Sequence, residues 1–206
     1  LFDTAHAAAA MNALGKIVLI GVGLIGGSLM LDLKRRRQVG TVVGIDINAD
    51  NLARALERRV IDEAHTEITA DNIAQADLVI LATPVATLPS LCRLLSLHLP
   101  PHTVVSDVGS TKQSALAAFS CYLPQHFPRC VAAHPIAGSD RSGALAAQFG
   151  LYQGKKLIVC PHERQDAGSL HLVENVWRSV GAEIHTMDAA EHDAIFAAVS
   201  HFPHLL

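Results

Sequence analysis

The chain predicts a doubly wound α/β domain built on a parallel sheet, and three observations carry that prediction. Short runs rich in Val, Ile and Leu recur along the chain with helical patterns between them, the alternation that places crossover helices on both faces of a sheet. The runs are continuously apolar, as strands buried on both faces are. One of them, Lys16-Ile17-Val18-Leu19-Ile20, stops abruptly in a glycine cluster from which a helix departs.

Composition bounds the alternatives. At 206 residues the chain can bury a full core, and with half its residues apolar and 4% aromatic it reads as a folded Ala/Val/Leu-rich protein. A net charge of -3 leaves no basic footprint for nucleic acid. The one basic run, Lys34-Arg35-Arg36-Arg37, falls where the first helix ends and suits that helix's negative pole. No apolar run reaches the roughly 18 residues of a membrane span, because Pro84, Pro89 and Arg93 interrupt the longest candidate. Cys92, Cys121, Cys130 and Cys160 show no CxxC spacing, so reduced thiols in a cytoplasmic protein are expected. Met11 reads as a natural initiator, and residues 1–12 as a disordered or vector-derived leader to a domain spanning 13–187.

The first unit carries the strongest motif. Gly21-x-Gly23-x-x-Gly26 supplies a tight turn, a close backbone approach to a pyrophosphate, and a close helix–strand contact. The helix then opens at Leu24, Ile25 and Gly26 with free N–H groups for phosphates. A second apolar run, Thr41 to Ile45, ends in Asp46, where a dinucleotide fold places an acid for the ribose hydroxyls. A carboxylate there repels a 2′-phosphate, so NAD is expected rather than NADP, with a Rossmann-type domain around it. Asp46 as a simple helix cap stays open, with Asn48 and Asp50 competing for the same role.

The remaining elements follow in order. Ala53 to Arg59 continues a helix, Ile61 to Thr69 is a short strand with a loop, and Asp71 begins a short helix. Ala76 to Ala82 predicts a buried strand ending at Thr83-Pro84, a further cofactor-facing position, with Pro84 in the first turn of a helix to about Leu97. Thr103 to Ser106 predicts a strand, then Asp107-Val108-Gly109-Ser110-Thr111-Lys112 leads a helix to about Ser120. Val131 to Ala133 predicts a short strand opening into His134-Pro135-Ile136-Ala137-Gly138-Ser139. A polar, glycine-containing stretch from Asp140 to Gly154 precedes the strand Lys156 to Cys160, the helix Ala167 to Val180 and the strand Ala182 to Thr186. Asp188 and Glu191 then form a capping-box pattern, opening a linking helix that leads to Ser200-His201-Phe202-Pro203-His204. Residues 188–206 are thus expected to begin a second, helical domain.

Ligands of open α/β sheets bind beyond the carboxyl ends of the strands, which draws attention to Thr83, Ser110 and His134. An imidazole titrating near 6.5 makes His134 a possible base, and the Ser110 hydroxyl can hold the same substrate oxygen. A capping Ser110 and a structural His134 stay open beside those roles. His201 and His204, three apart, lack a third ligand, so no metal is expected.

The motifs GVGLIGGSL, ATPV, SDVGSTK, HPIAGSD and SHFPH, in this order over residues 16 to 206, closely resemble the prephenate dehydrogenase family with its arogenate and cyclohexadienyl relatives. The resemblance implies oxidative decarboxylation of prephenate to 4-hydroxyphenylpyruvate in tyrosine biosynthesis, with hydride passing to NAD. It implies that His134 deprotonates the substrate 4-hydroxyl, that Ser110 shares that oxygen, and that Ser200, His201 and His204 lie close to the substrate. It also implies a homodimer formed through a C-terminal helical domain carrying an arginine for the substrate carboxylate. Phe202 stands where the family commonly has Leu. The rival readings are an arogenate or cyclohexadienyl dehydrogenase, a reductase of the 6-phosphogluconate or pyrroline-carboxylate kind, and a nucleotide-binding module inactive without its partner domain.

Overall fold

Alternation within each strand decides the architecture. The computed structural model describes residues 13–137 and 143–201, and of residues 199–201 the backbone alone. In β1 (Leu14–Ile20), Ile17 and Leu19 enter one apolar layer while Val18 and Ile20 enter the other. The same split recurs in β2 (Val39–Ile45), with Val42 against Val43 and Ile45, and in β4 (Leu78–Leu81), with Leu78 and Ile80 against Val79 and Leu81. A strand buried on both sides needs a helix on both sides.

One face is covered by α1 (Leu24–Arg35), α2 (Ala49–Glu57) and α6 (Ala167–Ser179), which contribute Leu29, Leu52 and Trp177. The other is covered by α3 (Ala70–Ile73), α4 (Leu88–Ser96) and α5 (Lys112–Tyr122), contributing Ile73, Leu95 and Phe119. Each such fully buried Leu or Phe contributes about 1.5–3 kcal/mol. With β3 (Glu63–His65), β5 (Val104–Asp107), β6 (Cys130–Pro135), β7 (Lys156–Cys160) and β8 (Glu183–Thr186), the sheet order is β3-β2-β1-β4-β5-β6-β7-β8. A last helix, α7 (Ala189–His201), contacts α5.

The doubly wound sheet expected from the sequence is present, and its far edge is mixed. β3 through β6 run parallel, β7 runs antiparallel to β6, and β8 pairs parallel with β7. No α-helix is described between β6 and β7, so the chain returns from the edge it left. Chain order reverses between β1 and β4, which opens a crevice at their carboxyl ends.

Three local expectations are corrected and a fourth is extended. His134 lies within β6, opposite Ile158, rather than after it, because the antiparallel partner extends the ladder through Pro135. Pro84 precedes a 3-10 turn (Val85–Thr87) with an extended ψ of 142°, and Pro89 instead fills the first turn of α4. The stretch read as polar packs on α1 and α2: Ala144, Ala147 and Tyr152 are buried, and the Tyr152 hydroxyl donates to the Ile25 carbonyl at 2.6 Å. The basic run does more than face a helix end. Lys34 pairs with Asp62 at 2.6 Å, and Arg35 and Arg36 stack over Phe149 at 5.0 and 5.4 Å. The expected leader, residues 1–12, lies outside the described residues.

Candidate active site

The crevice at the strand reversal is a cleft of about 1030 Å³ lined by Gly21, Gly23, Asp46, Asn51, Thr83 and Pro84, with Ile47, Ile68, Leu91 and Leu94 supplying apolar wall. The three glycines divide the work as their spacing predicts. Gly21 has φ of +91°, and a Cβ there would meet the Ala82 carbonyl oxygen at 2.6 Å. A Cβ on Gly26 would meet Leu19 at 2.5 Å, so the helix sits close on the strand. At Gly23 a Cβ would meet nothing within 4 Å of it, which leaves the backbone open to a ligand. Gly23 is also the N-cap of α1, with no side-chain cap bond and no acidic residue in the first turn. Among the described residues no protein anion claims the leading amides of α1, and an anion suits them.

Asp46 is held facing this turn. Its carboxylate accepts from the Val22 amide at 3.0 Å, the Asn48 amide at 3.0 Å and the Asn51 side chain at 3.3 Å. The cap of α2 is Asn48, whose side chain accepts from the Asn51 amide at 3.0 Å, so the capping alternative for Asp46 falls away. Asn51, which sequence reasoning passed over, joins three segments. Its amide group also donates to the Val22 carbonyl at 2.6 Å and accepts from the Ala144 amide at 2.8 Å.

A second polar assembly surrounds His134. Because β4, β5 and β6 run parallel, the end of β6 lies on the same sheet edge as Gly21 and Thr83. His134 Nδ1 lies 2.8 Å from His192 Nε2, and His192 Nδ1 lies 2.8 Å from Asp193 Oδ1. Asp193 in turn accepts from the Lys112 and Gln113 amides at 2.7 and 3.0 Å, closing the start of α5. Phe196 stacks on His192 at 4.6 Å and meets His134 edge-on at 5.0 Å. His192 is fully buried. Beneath, Lys112 is also fully buried, its ammonium 2.5 Å from Asp107 and 2.6 Å from the Ala133 carbonyl. Asp107 accepts from the Ala133 and Gly109 amides as well, so the pair pins β6 to the loop before α5.

Burial pushes His134 down to about 4, and the Lys112 and His192 charges push the same way against Asp193. The imidazole is neutral at pH 7. Burial raises the Asp193 carboxyl, but the Lys112 and Gln113 amides and His192 together outweigh it and hold the group below its ordinary value.

The expected residues are distributed plainly. Gly21, Gly23, Asp46, Thr83 and Pro84 share the cleft, and Leu24, Ile25 and Gly26 form the first turn of α1 behind it. Thr83 and Thr87 share a hydroxyl hydrogen bond of 2.6 Å. Ser110 is exposed between β5 and α5, and the cap of α5 is Thr111, so the capping alternative for Ser110 is not realised. Among the described residues, no hydrogen bond joins Ser110 to His134. Ser200 and His201 fall in the last turn of α7, where only the backbone is described, and His204 lies outside the described residues. Lys112, Asp107, His192 and Asp193 were missed. Helical spacing of Ala189, His192 and Phe196 on one face was the available signal for His192.

Comparison with known proteins matches residues 29–186 to the nucleotide-binding domain of prephenate dehydrogenase. The chain is 34% identical over 191 residues to prephenate dehydrogenase of Bacillus subtilis, covering 92% of this chain and 51% of that protein. A crystal structure of prephenate dehydrogenase from A. aeolicus, in complex with hydroxyphenyl propionate and NAD+, has 35% identity and a TM-score of 0.86 over 94% of this chain and 66% of that one. Synechocystis arogenate dehydrogenase has 30% identity and a TM-score of 0.78 over 91% of this chain and 65% of that one. The chain spans about half the length of the B. subtilis relative.

Proposed function

Because the chain belongs to the prephenate dehydrogenase family, we propose that it carries the NAD-binding and proton-accepting half of an oxidative decarboxylation that converts prephenate to 4-hydroxyphenylpyruvate. The observation that carries this reading is a neutral imidazole, His134, on the sheet edge that also bears the glycine turn and Asp46.

The residues fit a dinucleotide. The α1 amides behind Gly23 receive the phosphates, Asp46 accepts from the ribose hydroxyls, and the apolar wall from Ile47 to Leu94 suits a purine. Asp46 disfavours a 2′-phosphate, which favours NAD over NADP. Bound NAD supplies the hydride acceptor. His134 takes the proton released when the substrate 4-hydroxyl O–H bond breaks, and the exposed Ser110 hydroxyl steadies the same oxygen. Departure of CO2 leaves an aromatic ring, which draws the step forward. Ser200, His201 and His204 are proposed as further substrate contacts, and the working enzyme as a cytoplasmic homodimer. Arogenate is the second reading, favoured by the likeness to the Synechocystis enzyme.

The test offers NAD with prephenate, then NAD with arogenate, to the full-length protein and follows NADH absorbance, with NAD binding measured by calorimetry. Turnover with one substrate supports the chemistry and selects it. NAD binding without turnover overturns the chemistry and keeps the cofactor site, while absence of binding overturns both.

A further inference from the structure

We infer that His192 and Asp193 are positioning residues that order the protons of His134, holding hydrogen on Nδ1 and the lone pair on Nε2. The inference rests on His134 being the base, and it follows from counting donors and acceptors along a chain of four groups.

The chain starts at α5. The Lys112 and Gln113 amides can only donate, and both point at the Asp193 carboxylate. That carboxylate is thereby kept as an acceptor, so the hydrogen in its 2.8 Å contact with His192 sits on His192 Nδ1. A neutral His192 then has a lone pair on Nε2. The 2.8 Å contact with His134 needs one hydrogen, and only His134 Nδ1 can supply it. His134 is left with its lone pair on Nε2, which has no partner among the described residues. A base must present a lone pair to the proton it removes, so this is the competent tautomer.

The reverse order is disfavoured. A doubly protonated His192 would donate from Nε2 and place the hydrogen of His134 on the outward nitrogen, with no capacity to accept a proton. It would also add a cation to a buried cluster already holding the Lys112 ammonium above Asp107. Phe196, stacked on His192 and edge-on to His134, fixes both ring planes so that the nitrogens stay in line. A carboxylate that orients an imidazole through its far nitrogen is a recurring arrangement, and here a second imidazole is interposed.

Imidazole nitrogen NMR on histidine-labelled protein reads the tautomer directly, and steady-state kinetics on the full-length protein reads its use. The parent protein should show His134 protonated on Nδ1. In Asp193→Asn one of the two acceptor positions becomes an NH2. At the Oδ1 position, which the Lys112 amide and His192 share, it gives up the Lys112 bond and donates to His192, which reverses the chain. His134 should then switch to the Nε2–H form, with kcat falling about ten- to a hundredfold and NAD affinity unchanged. Asp193→Glu should restore the parent tautomer and part of the rate. If Asp193→Asn proves unstable, His192→Phe serves, since it keeps an aromatic ring on Phe196 but removes the acceptor; the Nδ1–H form should cease to dominate. An Nε2–H signal in the parent, or an unaltered tautomer in both variants, overturns the relay. Full activity in His134→Asn, with the parent tautomer as stated, overturns the base assignment and leaves the relay supported.

Discussion

The glycine cleft and the histidine corner stand on one sheet edge and are assembled in opposite ways. Asp46 reaches the turn after β1 across 24 residues, all within one strand–helix–strand unit. His134 meets His192 across 58 residues, and Lys112 meets Asp193 across 81. The contact of Asp46 with the glycine turn therefore needs only its own unit to be folded, whereas the corner needs α7 docked on α5. A cofactor site of the first kind tolerates change elsewhere; a proton site of the second kind senses the last helix.

Four experiments break or sharpen that contrast. His134→Asn should lower kcat by about 10²–10⁴-fold while calorimetry finds NAD affinity intact. A parallel loss of NAD binding would erase the division between the two regions. Lys112→Met should destabilise the fold by about 3–5 kcal/mol in urea unfolding, because Asp107 is left buried and uncompensated. A loss below about 1 kcal/mol would mean the pair is not what secures β6.

Acid should act on the corner through His134. His134 sits near 4 in the folded chain against an ordinary 6.5, so the unfolded chain binds its proton first as pH falls. Stability is full above pH 6.5 and is lost from there down to 4, by about 2 kcal/mol at pH 5 from this group. His134→Asn should be spared that share, and identical pH curves for parent and variant would refute it. The mildest test is in the cleft. Gly23→Ala introduces a methyl with nothing within 4 Å among the described residues beyond its own helix backbone and chain neighbours, at a φ of -119° open to alanine. Stability should stay within about 0.5 kcal/mol while NAD affinity falls about tenfold. Unchanged affinity would show that the cofactor backbone does not pass over Gly23.

How much could be read beforehand follows the same divide. Gly21, Gly23, Gly26 and Asp46 announce themselves because turn geometry, close approach and ribose recognition impose residue types at short spacing. His192-Asp193 looks like the solvated face of a helix, and only a partner 58 residues away makes it otherwise. Lys112 reads as an exposed cation, since lysine is rarely fully buried unless paired, and its pair with Asp107 is five residues back across a turn. The β6–β7 reversal was equally hidden. A crossover helix is visible as periodicity, while a returning strap whose buried residues are mostly alanines looks like a loop.

The placement of Asp193 at the start of α5 has a consequence in time. Ribosomes deliver the glycine turn, Asp46 and the strand bearing Asp107 early, and about eighty residues later deliver the carboxylate that closes α5. At about 5–20 residues per second that interval is on the order of 4–16 s. A nascent chain in that interval can hold the Asp46 contact with the glycine turn while lacking the proposed orientation of His134, so the grip on a dinucleotide matures before the proton site.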